Sequence, residues 1–122
     1  MRVGIIGAGQ LGQMLGYAAR ELGIECRFLD PSDDPPAASA GEVVRAAFDD
    51  QEALQSLAAD CDVITYEFEN VEVDALRALN DTVPVWPPVE ALRQAQDRLD
   101  EKALFESVDI PLPGYRLSLI HI

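Results

Sequence analysis

Hydrophobic positions at the start of the chain alternate between short continuous runs and a helical repeat. Residues 2–6 form an apolar run that ends at Gly7, and residues 24–29 form a second run that ends at Asp30. Between them, over residues 10–22, apolar side chains recur at intervals of three and four, which is typical of one face of an α-helix. The members of that face are Leu11, Met14, Leu15, Ala18, Ala19 and Leu22. We therefore predict a strand, a helix and a strand, with Met14 as a core residue.

The same two patterns continue along the rest of the chain. Residues 31–41 contain three prolines and many small residues, which is typical of a loop. The β-branched and aromatic run DVITYEF, residues 62–68, is the strongest strand prediction in the chain. Before it, Asp49 or Asp50 is suited to cap a helix with a buried stripe of Leu54, Leu57, Ala58 and Cys61. We also predict strands over 42–46 and 83–86 and helices over 73–79 and 88–108.

This order of elements predicts an α/β fold with a doubly wound, mostly parallel sheet. If the strands are arranged 3-2-1-4, the first and fourth lie side by side. We predict a domain over residues 1–87 and a linking helical segment over 88–108. We interpret residues 109–122 as the start of a further region, with Ser118 to Ile122 expected to be non-native because they continue no recognisable pattern.

Composition narrows the function classes. The chain has 22 acidic and 9 basic residues, a net charge of -13, and we therefore exclude a nucleic-acid partner. No apolar run approaches the ~18 residues that span a bilayer, so we expect no membrane partner. Cys26 and Cys61 lack metal-site spacing and are expected to be thiols of a cytoplasmic protein. Because the one histidine, His121, is the second-last residue, we exclude metal or triad chemistry built on histidine.

A glycine-rich turn lies between the first strand and the first helix. Gly7, Gly9 and Gly12 form a GxGxxG motif, and Asp30 ends the next strand. In dinucleotide-binding folds such glycines let a pyrophosphate approach the helix N-terminus, and the acidic residue holds a ribose. Taken alone, the motif predicts an NAD site. Alternatively, the glycines serve only close strand–helix packing, and Asp30 only begins a turn.

The predicted strand order places a second group of polar residues beside this turn. Glu67 ends the fourth strand, with Glu69 and Asn70 just beyond it. Ligands of doubly wound sheets bind at the carboxyl ends of such neighbouring strands. Because a carboxylate repels phosphate but accepts hydrogen bonds from hydroxyls and amines, the crevice favours a sugar phosphate over a diphosphate. The alternative is a solvated strand end or a helix cap.

Two motifs together carry a resemblance to a known family. The segment GAGQLGQM, from Gly7, with YEFENV, from Tyr66, resembles the N-terminal part of the N5-carboxyaminoimidazole ribonucleotide synthases, ATP-grasp enzymes of purine biosynthesis. Gln96-Asp97-Arg98, Lys102 and residues 111–115 extend the match in the same order. The resemblance covers nearly the whole chain to about Leu117, and it implies that residues 1–87 form a Rossmann-like pre-ATP-grasp domain.

The resemblance implies a function and a set of site residues. The implied enzyme is a carbon–nitrogen ligase that uses ATP, Mg²⁺ and bicarbonate to carboxylate the amine of 5-aminoimidazole ribonucleotide, and it is expected to be a cytoplasmic homodimer. It further implies that Arg98 contacts ATP, whereas the Mg²⁺ ligands and the catalytic residues lie outside this chain, which is expected to be inactive alone. The implied substrate-binding residues are Gly9, Gln10, Leu11, Glu67 and Asn70.

Two other functions stay open on the residues alone. One is the cofactor domain of an NAD(P)-dependent oxidoreductase, which GxGxxG and Asp30 favour. The other is a small regulatory module that senses a nucleotide without catalysis. The position of Gln10 favours the aminoimidazole substrate over glycinamide ribonucleotide, because the related formate-using enzymes usually have glutamate there.

Overall fold

A computed structural model describes residues 1–115 and contains four strands and five α-helices. The strands are β1 (Arg2–Ile6), β2 (Glu25–Asp30), β3 (Glu42–Arg45) and β4 (Val63–Tyr66). The helices are α1 (Gln10–Glu21), α2 (Gln51–Ala59), α3 (Val73–Asn80), α4 (Val89–Gln96) and α5 (Arg98–Ser107), with a 3₁₀ turn at Pro36–Ser39. The predicted non-native segment from Ser118 lies outside the described residues.

The four strands form one parallel sheet in the order β3-β2-β1-β4, which confirms the predicted arrangement. Side chains of successive residues point to opposite faces of a strand, so the sheet has two separate cores. Ile6 and Leu29 belong to the larger core, beneath α2, α3 and α4. Ile5 and Phe28 belong to the smaller one, which also includes Ala37 and Ala40 beside the 3₁₀ turn.

The helix α2 follows its predicted pattern. The Asp50 carboxylate accepts a hydrogen bond from Ala53 N at 3.0 Å and caps the helix, as expected of one of the two candidates. Leu54, Leu57 and Ala58 are buried, and Cys61 is half-buried against the same core.

The apolar face of α1 is largely exposed, so the prediction that Met14 is a core residue is wrong. Met14 is 64% exposed and Leu11 is 59% exposed, while the buried residues of the helix are Gly12 and Gly16. The helix lies so close to β2 and the 3₁₀ turn that glycines, which have no side chain, occupy the face of α1 that contacts them. Periodicity identified the residues that share a face, but the sheet covers a different one.

Two predicted elements have different bounds. The predicted strand over 83–86 is a single parallel bridge between Val85 and Ile64, because Pro84 has no N–H to extend a ladder. The predicted helix over 88–108 is divided at Asp97. The Asp97 carboxylate accepts hydrogen bonds from Leu99 N at 2.8 Å and Asp100 N at 3.1 Å, which begins α5 as a new helix. Within residues 1–115, every helix is too short or too polar to cross a bilayer.

Candidate functional site

The strand register brings three polar or flexible positions to one edge of the sheet. Ile6 of β1 pairs with Leu29 of β2 and with Tyr66 of β4. The residues that directly follow these three are Gly7, Asp30 and Glu67. Gly7 therefore lies between the two acidic residues. The predicted neighbourhood of the glycine turn and the end of the fourth strand is confirmed, although β4 ends at Tyr66 rather than at residue 68.

The Glu67 carboxylate lies on the glycine loop itself. One oxygen, Oε1, accepts a hydrogen bond from Gly9 N at 3.0 Å, and Oε2 accepts one from Gly12 N. These N–H groups stand at the start of α1, where the helix dipole favours a negative charge. In this structure the two loop donors therefore bind a side chain of the protein, where the motif alone predicts a ligand phosphate.

All three motif glycines are in contact range of the same side chain. A Cβ placed on Gly9 would lie 2.9 Å from Glu67 Oε1, and one on Gly12 would lie 2.9 Å from Oε2. A Cβ on Gly7 would meet the Glu67 side chain as well, and the φ of Gly7 is +102°, which side chains disfavour. The motif thus serves the approach of a glutamate, whereas in dinucleotide sites it serves the approach of a pyrophosphate.

Asp30 is also used inside the protein. Its buried carboxylate accepts hydrogen bonds from Ala8 N at 2.9 Å and from Ser32 N at 2.9 Å. Burial acts to raise the pKa of Asp30, but the hydrogen bonds from Ser32 and Ala8 outweigh it and hold the pKa below its usual value. Because Asp30, the acid of the expected NAD site, is bonded to the loop and the following turn, and Glu67 occupies the loop donors, the geometry does not favour the oxidoreductase.

Glu67 and Tyr66 line two adjoining surface depressions. In the first they meet Leu11 and the exposed apolar face of α1. In the second they meet Phe68, Glu69 and one side of α4. The Tyr66 hydroxyl donates to the carbonyl of Pro87 at 3.3 Å, and burial raises the pKa of that hydroxyl. A ligand at this edge would meet the carboxylates of Glu67 and Glu69, one phenol and apolar walls.

The other predicted site residues are distributed around this edge. Gln10 is the first residue of α1 and is exposed, directly between Gly9 and Leu11. Asn70 is exposed and lines a separate depression with residues of α3 and Gln96. Arg98 is on α5, with its side chain 87% exposed and paired with Glu101 at 3.1 Å. The structure thus brings Gly9, Leu11 and Glu67 together.

Gln96 is a residue whose role the sequence did not indicate. Its side-chain amide donates to the carbonyl oxygens of Glu69 at 2.6 Å and Val71 at 2.8 Å, and it ties α4 to the segment that follows β4. In the sequence, Gln96 was noted only as part of the Gln96-Asp97-Arg98 match, and the match assigned no role to this glutamine. The structure makes it a support for the segment after Glu67.

A family model for the ribonucleotide synthetase preATP-grasp domain matches residues 1–96. The chain belongs to this family. The matched part of the preATP-grasp domain includes the whole sheet, the glycine loop, Glu67 and α4.

Curated relatives and solved structures agree with this assignment. The chain is 47% identical over 115 residues to an N5-carboxyaminoimidazole ribonucleotide synthase of Pseudomonas aeruginosa, with 94% of this chain and 32% of the relative covered. A crystal structure of N5-carboxyaminoimidazole ribonucleotide synthetase from Thermus thermophilus superposes with a TM-score of 0.88 at 48% identity, covering 91% of this chain and 31% of that one. The chain therefore spans about a third of the length of the relatives that it matches.

A second similar structure contains ligands. It is the N5-carboxyaminoimidazole synthase of Aspergillus clavatus in complex with ADP and 5-aminoimidazole ribonucleotide, with a TM-score of 0.82 and 34% identity. The match covers 91% of this chain and 30% of that one.

Proposed function

We propose that this chain is the N-terminal, substrate-binding part of an ATP-dependent carboxylase. The complete enzyme would convert 5-aminoimidazole ribonucleotide, bicarbonate and ATP into N5-carboxyaminoimidazole ribonucleotide, as a carbon–nitrogen ligase of purine biosynthesis. The observation that carries the proposal is the Aspergillus clavatus relative, which holds 5-aminoimidazole ribonucleotide and ADP and matches 91% of this chain. From the sequence resemblance we also propose a cytoplasmic homodimer.

Glu67 is proposed to accept hydrogen bonds from the ribose or the exocyclic amine of the substrate. Each carboxylate oxygen has more than one acceptor position, and the bonds from Gly9 N and Gly12 N use one on each oxygen. Those bonds also fix the orientation of the carboxylate before a ligand arrives, which reduces the cost of ordering it. Gln10 and Leu11 are proposed to contact the ribose-phosphate side, with Gly9 and Asn70 as further substrate-binding residues.

The reaction divides between this chain and the rest of the enzyme. ATP would phosphorylate bicarbonate, and the amine nitrogen of the ribonucleotide would attack the carboxyl carbon as phosphate leaves. The contribution of this chain is to position the ribonucleotide so that its amine faces that carbon. From the sequence resemblance we propose that the Mg²⁺ ligands and the catalytic residues belong to the part of the enzyme outside this chain.

The proposed domain organisation follows the sequence. Residues 1–87 would form the substrate domain, 88–108 the linking segment and 109–122 the start of the next region. Within the linking segment, α4 packs against the larger core through buried Val89 and Leu92, whereas α5 has no buried residue. Arg98, at the start of α5, is proposed to contact the phosphates of ATP.

Steady-state kinetics of the complete enzyme test the proposal. Glu67→Gln should raise the KM for 5-aminoimidazole ribonucleotide and leave the KM for ATP nearly unchanged. Loss of a charge-assisted hydrogen bond costs about 1.5–3 kcal/mol, or roughly 10- to 150-fold in affinity. Arg98→Ala should raise the KM for ATP instead. Glu52→Gln, on the exposed first turn of α2, is the matched control. Equal effects of Glu67→Gln on both substrates would contradict the assigned role.

A further inference from the structure

The glycine loop has two donors that a phosphate would normally occupy. A helix N-terminus with free main-chain N–H groups is a ready anion site, because its donors and its dipole both favour negative charge. In this chain the N–H groups of Gly9 and Gly12 already donate to the two oxygens of Glu67. The Glu67 carboxylate therefore occupies the position in which a ligand anion would accept these hydrogen bonds.

The space above the loop is filled by the same side chain. Around a Cβ built on Gly9, the three nearest atoms within 4 Å all belong to Glu67: Oε1 at 2.9 Å, Cδ at 3.8 Å and Oε2 at 3.9 Å. A phosphate that approached Gly9 N would have to displace this carboxylate. No other side chain of the described residues comes as near to that position.

The negative charge of Glu67 disfavours a phosphate at this position, as its volume does. Within residues 1–115, the hydrogen-bond partners of the Glu67 carboxylate are main-chain N–H groups, and no lysine or arginine forms an ion pair with it. An incoming phosphate would meet an uncompensated carboxylate at close range, in a chain with a net charge of -13. Hydroxyl and amine groups would meet acceptors with remaining capacity.

We infer that Glu67 is a specificity-determining residue that closes the donors of Gly9 and Gly12 to anionic ligand groups and leaves this position to hydrogen-bond donors. The chain has the GxGxxG motif of a dinucleotide site, but its own Glu67 side chain occupies the main-chain donors that a phosphate would use. This inference stands on the loop geometry and does not depend on which ribonucleotide the site binds.

Titration of the ¹⁵N-labelled 122-residue chain with inorganic pyrophosphate tests the inference. The amide resonances of Gly9 and Gly12 report the loop directly. Wild-type protein should show no saturable shift at these two amides. Glu67→Ala, which empties the position, and Glu67→Gln, which keeps its volume without the charge, should bind pyrophosphate there at least about tenfold more tightly than the wild type. Glu52→Ala removes the same charge from an exposed turn of α2 and should behave as the wild type.

The outcomes separate cleanly. A wild-type loop that responds to pyrophosphate as strongly as the Glu67 variants overturns the inference, and so does a folded Glu67 variant that stays silent. An equal gain in Glu52→Ala would assign the effect to net charge and would also overturn it. If Glu67→Ala does not fold, Glu67→Gln and the wild-type titration still decide. None of these results alters the kinetic test of the proposed function, which measures KM values for other ligands in the complete enzyme.

Discussion

Gly9 and Glu67 lie 58 residues apart in the chain and are joined by a hydrogen bond of 3.0 Å between Gly9 N and Glu67 Oε1. The same pair would collide if Gly9 had a side chain, because its Cβ would lie 2.9 Å from that oxygen. The glycine is therefore required by a residue that follows β4, since its own φ of -76° suits any amino acid.

This relationship predicts energetic coupling between the two positions. Gly9→Ala should destabilise the wild-type chain, because the new methyl group displaces the Glu67 carboxylate from its two donors. In a Glu67→Ala background the same change should cost only the modest difference between glycine and alanine at a helix N-cap. A double-mutant cycle from urea unfolding should give a coupling free energy of about 0.5–3 kcal/mol. Strictly additive effects of the two substitutions on the free energy of unfolding would show that Gly9 and Glu67 are not coupled.

Asp30 predicts a pH dependence of stability. Its pKa is lower in the folded chain than in the unfolded chain, so it stabilises the fold above the unfolded pKa of about 3.9. That contribution is lost as the pH falls through the folded pKa. Asp30→Asn should therefore lower the free energy of unfolding at pH 7 by about 1–3 kcal/mol, and the difference should shrink below about pH 4.

The control for Asp30→Asn is Asp34→Asn in the exposed loop that follows β2, which removes an equal charge without a buried hydrogen bond. Urea unfolding of the three proteins between pH 3 and pH 7 measures the effect. A gap between Asp30→Asn and the wild type that stays constant over this range would show that the carboxylate charge is not what stabilises the turn.

Gly16 predicts the cost of close helix packing. A Cβ on Gly16 would meet the Ala40 Cβ and would lie 3.1 Å from Cζ of Phe28. Overpacking costs about 1–3 kcal/mol, which exceeds or matches the gain of about 1 kcal/mol from the better helix propensity of alanine. Gly16→Ala should thus lower the thermal midpoint, and Ala40→Gly should relieve part of the loss. Gly114→Ala, with nothing within 4 Å among residues 1–115, is the neutral comparison, and equal midpoints for both alanine variants would refute the packing argument.

Gln96 predicts a local effect on the segment that follows Glu67. Gln96→Ala removes the donors to the carbonyl oxygens of Glu69 and Val71, so amide hydrogens of residues 67–73 should exchange faster with solvent. The expected change is about 1–2 kcal/mol of local opening free energy. Gln94→Ala on the same helix, whose amide donates only to Glu90, should leave that segment unchanged. Identical exchange in both variants would remove Gln96 from the support of the site.

The parallel topology and the meeting of Gly7 with Glu67 were predictable from the sequence. Short apolar runs and a helical repeat fix the order of the elements, and a 3-2-1-4 arrangement brings the ends of β1 and β4 together. What Glu67 does there was not predictable, because a strand pattern says nothing about which donors a carboxylate reaches. The binding roles of Gln10, Asn70 and Arg98 stay predictions.

Two of the errors in the fold have a common physical origin. Periodicity places Leu11 and Met14 on one face of α1 but carries no information about what lies opposite that face. The helical pattern of residues 88–108 continues through Asp97, but this aspartate bonds to the main chain of the following residues and starts a new helix. Which face of a helix is buried, and where a helix begins, depend on three-dimensional contacts that the pattern of residues along the chain does not contain.

The most direct test is a crystal structure of the complete protein with 5-aminoimidazole ribonucleotide bound. The account predicts a ribose hydroxyl or the exocyclic amine within a hydrogen-bond distance of about 2.6–3.2 Å from a Glu67 oxygen, with Gly9 N and Gly12 N still donating to that carboxylate. A phosphate seated on those two N–H groups with Glu67 displaced, or a ribonucleotide bound away from this edge of the sheet, would contradict it.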